Sequence, residues 1–322
     1  MTIDLHCDLL GCVEQEPKLH FEHPDTNCSI PQLLQGGVRL QTLAVAAITC
    51  PGSTGVTQRQ VALYQKLLKE YPSVAPYSAY HPTSEKLHCI FAIENASGLL
   101  EEGEPFEEAL KRFETYQAVE KILYVSLTWN QENRFGGGNA SAVGLKRDGE
   151  LFLEYLEGKG VAIDLSHTSD ALAHDILNYI DKKGLHLIPI ASHSNFRSIK
   201  DIPRNLPNTL AQEIIKRGGM IGINFVRRFV GEGSQDFLDH IHHGLALGGE
   251  DALCLGSDFY GGIDIPFSLL PERSFPVFQE DYSNASCYPR FLELLRSVFP
   301  ERVVQKISYE NAHKHITANI SL

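Results

Sequence analysis

The sequence has no Cys-x-x-Cys pair. Its seven cysteines, Cys7, Cys12, Cys28, Cys50, Cys89, Cys254 and Cys287, are odd in number and scattered. That pattern argues against a zinc-thiolate site and predicts free thiols in a reducing compartment. No apolar run reaches the ~18–20 residues of a membrane span. The first predicted strand begins at Thr2, which leaves no room for a charged and apolar leader. The chain closes on Ile320-Ser321-Leu322 without a lipid-anchor signal. These absences predict a soluble, cytoplasmic protein with no membrane partner. Positive charge is also scarce. Lys and Arg total 28 against 40 Asp and Glu, a formal net charge of −12. Such a surface repels phosphate backbones and argues against nucleic acid as a partner.

Three catalytic signatures are missing as well. No glycine-rich turn follows the first strand, which argues against an open dinucleotide-binding sheet. Gly136-Gly137-Gly138 lacks a following Gly-Lys-[Ser/Thr] and reads as a loop rather than a phosphate cradle. Ser192 and Ser194 flank His193 without the elbow motif of a serine nucleophile.

What is present is a regular alternation. Eight apolar, β-branched runs bounded by turn residues read as strands: Thr2–His6, Val38–Thr49, Leu87–Glu94, Ile122–Thr128, Val161–Ser166, Leu187–Ser192, Met220–Val226 and Ala252–Asp258. Helical periodicity fills the gaps over Thr57–Tyr71, Phe106–Val119, Asp148–Leu156, Ser169–Tyr179, Pro207–Arg217 and Ser234–Leu247. A loop-rich stretch over 261–282 precedes helices at Pro289–Phe299 and Tyr309–Ala318. Strand–helix units repeated eight times predict parallel strands with right-handed crossovers. The predicted architecture is α/β, a distorted (β/α)₈ barrel occupying residues 1–322 as one domain with C-terminal helices.

In such a barrel the reactive residues sit at the C-terminal strand ends. Those ends carry His6 and Asp8, Glu94, His167, His193 and Asp258. In a strand, positions two apart share a face, so His6 and Asp8 can reach one point. Any one of these residues alone reads as an ordinary capping or surface group. Together, imidazoles and carboxylates at five strand ends are what a two-metal site requires, with one carboxylate free to bridge. His240, His242 and His243, and likewise His313 and His315, fall on helical patterns and are expected on solvated faces.

The ordered tracts Asp4-Leu5-His6-Cys7-Asp8, Ala92-Ile93-Glu94, Ile163-Asp164-Leu165-Ser166-His167, Ser192-His193-Ser194, Arg204-Asn205-Leu206-Pro207 and Gly256-Ser257-Asp258-Phe259 resemble those of the renal (membrane) dipeptidase family of metal-dependent amidohydrolases. The resemblance implies two zinc ions per chain. His6 and Asp8 would hold one, His167 and His193 the other, and Glu94 would bridge. It implies that Asp258 is the acid/base group, that Arg204 binds the substrate's terminal carboxylate, and that Asn224 adds a polar contact. The implied activity is hydrolysis of small dipeptides, including those with a C-terminal D-residue, by a metal-bridging hydroxide. A homodimer is the assembly the resemblance suggests. Trp129 stands where vertebrate members carry a substrate-binding His, Asn95 where Gly is common, and Tyr260 where many members have a second Asp. Two other readings stay open on the residues: a metal amidohydrolase for N-acyl amino acids or cyclic amides, and a barrel without turnover that binds a ligand or serves as a scaffold.

Overall fold

The computed structural model describes residues 1–263 and 276–319. Most of the loop-rich stretch predicted after the eighth strand, and the terminal Ile320-Ser321-Leu322, lie outside the described residues.

Among the described residues nine strands form one sheet: β1 (Thr2–Cys7), β2 (Val38–Ala46), β3 (Val74–Pro76), β4 (Leu87–Glu94), β5 (Ile122–Ser126), β6 (Ala162–Asp164), β7 (Pro189–Ile190), β8 (Ile221–Ile223) and β9 (Leu253–Leu255). The order is β7-β6-β5-β4-β2-β1-β9-β8, every named pairing is parallel, and β3 lies outside this path against β4. A parallel bridge between Ala191 and Ile221 brings the two ends of the path together. The result is the expected eight-stranded barrel, with β3 as an extra strand too short to show a pattern.

The predicted strands are found, but several end early. β6 stops at Asp164, β7 at Ile190 and β9 at Leu255. The cause is local. Side chains take over the hydrogen bonds that a continuing ladder would use: Ser166 N–H and Ser192 N–H donate to Asp164 Oδ1 (3.1 and 2.8 Å), and Ser257 N–H to Asp4 Oδ2 (3.3 Å). His167 and Asp258 then adopt φ of +67° and +61°, which turns the chain across the barrel mouth. These left-handed conformations cost non-glycine residues on the order of 1–3 kcal/mol and recur at functional sites.

The helices bury the faces their periodicity predicts. In Ser53–Glu70 these are Val61, Tyr64 and Leu67; in Asp170–Lys183, Leu172, Ile176 and Ile180. Ser169 starts the latter helix, its Oγ accepting from Leu172 N–H at 2.9 Å, two residues after His167. A smaller apolar cluster joins Ile3, Leu5, Leu40, Ile90, Ala92, Tyr124 and Ile190 to Ala312 and Ile316 of the last helix.

Two expectations about histidines are corrected. His240 is fully buried and His315 nearly so. Backbone groups that need partners explain both. His240 accepts from Phe196 N–H (3.2 Å) and pairs with Val230 O (3.0 Å), while His315 Nδ1 meets Gly218 O (3.3 Å).

Candidate metal centre

The ends of β1, β4, β6, β7 and β9 bring the predicted groups together. Ile90, Ala92 and Glu94 alternate on one face of β4, which carries the Glu94 carboxylate to the mouth. Its two oxygens point apart. Oε2 lies 3.5 Å from His6 Nε2. Oε1 lies 3.0 Å from His167 Nε2 and 3.6 Å from His193 Nε2. Around the same nitrogen of His6, Asp8 Oδ1 and Asp258 Oδ1 each stand 3.7 Å from Nε2. The His6 and His193 rings stack at a centroid distance of 3.7 Å.

The opposite ring nitrogens are anchored. His6 Nδ1 meets the Tyr124 hydroxyl at 2.6 Å, His167 Nδ1 meets Asn130 Oδ1 at 2.8 Å, and His193 Nδ1 meets Ser192 Oγ at 2.6 Å. Each anchor aims Nε2 at a common space. Such outer partners orient metal-binding imidazoles.

The residues present fit a metal. His6 Nε2 is buried and has no hydrogen-bond partner, a costly state for a polar nitrogen unless something binds it. Ligand atoms of His6, Glu94 and His193 lie within 4.8 Å of one another, as do those of His6, Asp8 and Asp258. The electrostatics agree. Burial alone would raise Glu94, but His6, His167 and His193 hold it well below the usual carboxylate range. Burial opposes charge on His6, yet Tyr124, Glu94 and Asp8 push its pKa well above the usual value. Burial, with Arg204 beside it, lowers His167 to about 4. Asp258 is raised to about 7, first by burial and then by Asp8 and Glu94. Three carboxylates thus converge on a space that attracts a cation.

Asn224, expected as a polar contact to substrate, instead donates from Nδ2 to Asp258 Oδ2 (2.8 Å) and to His193 O (3.1 Å), and so orients that carboxylate. Arg204 is 6% exposed. It donates to Ser194 Oγ (2.7 Å) and His193 O (2.9 Å), its Nε has no partner, and the Phe229 ring lies 5.4 Å from its guanidinium. A cavity of about 220 Å³ opens over the centre, with Asp8, Glu94, His167, Asp258, Trp129 and Tyr260 among its walls. Neither Arg204 nor Asn224 is among its lining residues; Phe229 is, and its ring also lies against the Arg204 guanidinium. Trp129 sits 5.9 Å from the His167 ring.

Sequence reading missed the residues behind the ligands: Asp4, Tyr124, Asn130, Asp164 and Ser192. A signal existed for two of them. Asp4 and Asp164 are carboxylates inside apolar strands, and a buried carboxylate demands donors. Asp4 takes bonds from His6 N–H (2.8 Å), Gln41 Nε2 (3.2 Å) and the hydroxyls of Ser257 (2.6 Å) and Tyr288.

A family profile for membrane dipeptidase (peptidase family M19) matches residues 1–319. A dipeptidase, verJ, of Clonostachys rogersoniana is 31% identical over 163 residues, which is 48% of this chain and 41% of that protein. The fold of a dipeptidase described as an M19 metallopeptidase superposes with a TM-score of 0.84 at 17% identity, covering 100% of this chain and 99% of the other. A Rhodobacter sphaeroides metallopeptidase, solved with a phosphinate mimic of the dipeptide L-Ala-D-Ala, gives 0.81 at 16% identity over 99% of each chain. At such identities these likenesses establish the barrel. The profile match over nearly the whole sequence establishes more: the chain belongs to the membrane dipeptidase family, peptidase family M19, and is a metal-dependent hydrolase.

Proposed function

We propose that this barrel, taken as one domain over its whole length, is a two-zinc dipeptidase for small dipeptides. The observation that carries this reading is the split of Glu94. One oxygen faces His6, and the other faces His167 and His193, as a carboxylate bridging two cations would. His6 and Asp8 would hold one ion and His167 and His193 the other. When bound, such ions polarise a scissile carbonyl and make water nucleophilic at neutral pH.

The chain's own residues supply the rest. Asp258, raised to about 7, can both accept and return a proton near neutrality, which suits a group that takes the proton of the attacking water and delivers it to the leaving amine. Asn224 fixes Oδ2, leaving Oδ1 toward the centre. Arg204 keeps an unpartnered Nε–H beside an otherwise anchored guanidinium. A planar fork of this kind suits the terminal carboxylate of the substrate, and a shift of the Phe229 ring would open it to the cavity. Trp129, beside His167, would wall the substrate side. The neighbour solved with an L-Ala-D-Ala mimic supports acceptance of a C-terminal D-residue. Seven free thiols support a cytoplasmic setting, and the family likeness supports a homodimer.

The test is a panel of L,L- and L,D-dipeptides, N-acyl amino acids and hydantoins, run with metal analysis and light scattering. Dipeptide turnover with two zinc ions per chain is expected. Turnover confined to hydantoins or N-acyl amino acids, or a chain that takes up no metal, would overturn the reading.

A further inference from the structure

Behind His193 lies a hydrogen-bond chain whose proton positions can be counted. Asp164 is fully buried and accepts four bonds. Oδ1 takes the backbone N–H groups of Ser166 (3.1 Å) and Ser192 (2.8 Å); Oδ2 takes the hydroxyls of Ser126 and Ser192, both at 2.7 Å. The Ser192 hydroxyl has a single proton, and an ionised carboxylate can only accept it. The same Oγ lies 2.6 Å from His193 Nδ1. With its proton committed to Asp164, Ser192 can only accept there, so the proton of the neutral imidazole must sit on Nδ1. That leaves the Nε2 lone pair facing Glu94 Oε1 and, at 2.9 Å, His167 Nε2.

We propose that Asp164, acting through the Ser192 hydroxyl, is the positioning residue that holds His193 in its Nδ1–H tautomer and so keeps Nε2 open for a metal ion. The inference rests on reading His193 as a ligand, but its first consequence is visible without metal. Asp164→Asn is a nearly isosteric probe whose orientation is dictated in advance. Backbone N–H groups cannot reverse, so the Asn oxygen must take the place of Oδ1. Its NH₂ then faces the Ser126 and Ser192 hydroxyls. Ser192 becomes the acceptor, and its own proton turns to His193 Nδ1, a basic nitrogen only 2.6 Å away, in preference to the Ser166 hydroxyl at 3.5 Å or the neighbouring Tyr124 hydroxyl. The imidazole proton moves to Nε2, the position the metal needs.

The experiment is long-range ¹H–¹⁵N correlation NMR of the metal-free, full-length chain, with the His193 signals assigned by a His193→Gln variant. The expected spectrum shows Nδ1–H in the wild type and Nε2–H in Asp164→Asn. Chelator competition should show zinc affinity falling by roughly 10–100-fold in that variant. Ser192→Thr, which keeps the hydroxyl, should retain the wild-type tautomer and affinity, and Ser192→Ala should lose both. Asp164→Asn with native amide signals and an unchanged Nδ1–H tautomer overturns the proposal. If Asp164→Asn does not fold, a Ser192→Ala protein with wild-type tautomer and affinity overturns it equally. A wild type that binds no zinc while showing the tautomer change would sink the metal-centre reading and leave the relay intact.

Discussion

At the residue scale, the centre is a competition between protons and a cation. Asp8, Glu94 and Asp258 surround His6, and Tyr124, Glu94 and Asp8 raise its pKa well above the ordinary value although burial opposes the charge. The direction of that shift favours the protonated imidazole, so a metal ion taking Nε2 competes with a proton there. Lower pH favours the protonated form, so affinity falls with pH, by about tenfold per unit for each proton displaced. Calorimetry in buffers of different ionisation enthalpy should show this proton release; uptake of metal with no proton released would contradict it. Asp258 gives a second expectation. Asp258→Asn keeps the shape and the bond to Asn224 but cannot carry a proton, so kcat should drop by ~10²–10⁴-fold with metal content unchanged. Turnover at the wild-type rate would remove Asp258 from proton transfer. The groups that converge at the barrel mouth were legible in the sequence because they are the wrong residue types for the ends of apolar runs. Their anchors were not, because Tyr124, Asn130 and Ser192 are ordinary residues whose role appears only when distant strands meet. Asn95 is intermediate: its φ of +72° is a backbone conformation that glycine adopts freely and that Asn tolerates better than most residues.

At the element scale, strand interiors were legible and strand ends were not. A parallel strand buried on both faces writes a continuous apolar run, and Leu87–Glu94 was read to the residue. The short ends of β6, β7 and β9 escaped because Asp4, Asp164 and Ser166 side chains replace ladder bonds there, which no periodicity records. The helix Leu9–Gln15 escaped because two turns without a side-chain cap leave little pattern. The seam where β7, β8 and β9 approach the Ser192 carbonyl is unusually tight. A Cβ on Gly222 would fall 2.0 Å from that oxygen, and one on Gly256 1.9 Å from it. Gly222→Ala and Gly256→Ala should each lower stability by ~1–3 kcal/mol or more. Because Ser192 adjoins His193, they should also weaken zinc binding. Melting curves and chelator titrations check both effects, and unchanged values would show that the seam yields freely. A different element carries a pH signature. His240 ties the helix Ser234–Ala246 to Phe196 and Val230, and burial holds its pKa near 4 against an ordinary 6.5. The folded state thus resists a proton that the unfolded chain accepts. The contribution is complete above pH 6.5 and is lost as pH falls toward 4, by about 3 kcal/mol at most. His240→Gln should be less stable than wild type at pH 7.5, with the gap narrowing toward pH 4.5; a gap independent of pH would refute this.

At the scale of the whole molecule, the barrel gathers like charges that a long acidic chain has few cations to offset. Arg204 is a buried positive side chain beside the centre, and it already faces Asp258, Asp164 and Glu94. The centre is therefore a source of instability that bound metal relieves, which makes stability a measure of occupancy. A ligand that binds only the folded state adds ~2.7 kcal/mol at a free concentration one hundred times its Kd. Unfolding entropy near roughly 2.1 cal/mol/K per residue over 322 residues gives about 0.7 kcal/mol/K. One such ion should then raise Tm by ~4 °C, and two independent ions by ~8 °C. Scanning calorimetry of chelated protein, titrated with zinc, separates these cases. A single cooperative transition that climbs in two saturable stages would support both the undivided barrel and the pair of ions. A rise that ends after one equivalent would leave Glu94 with one cation to hold and would withdraw its bridging role. A Tm indifferent to zinc would mean that the converging carboxylates hold no metal at all.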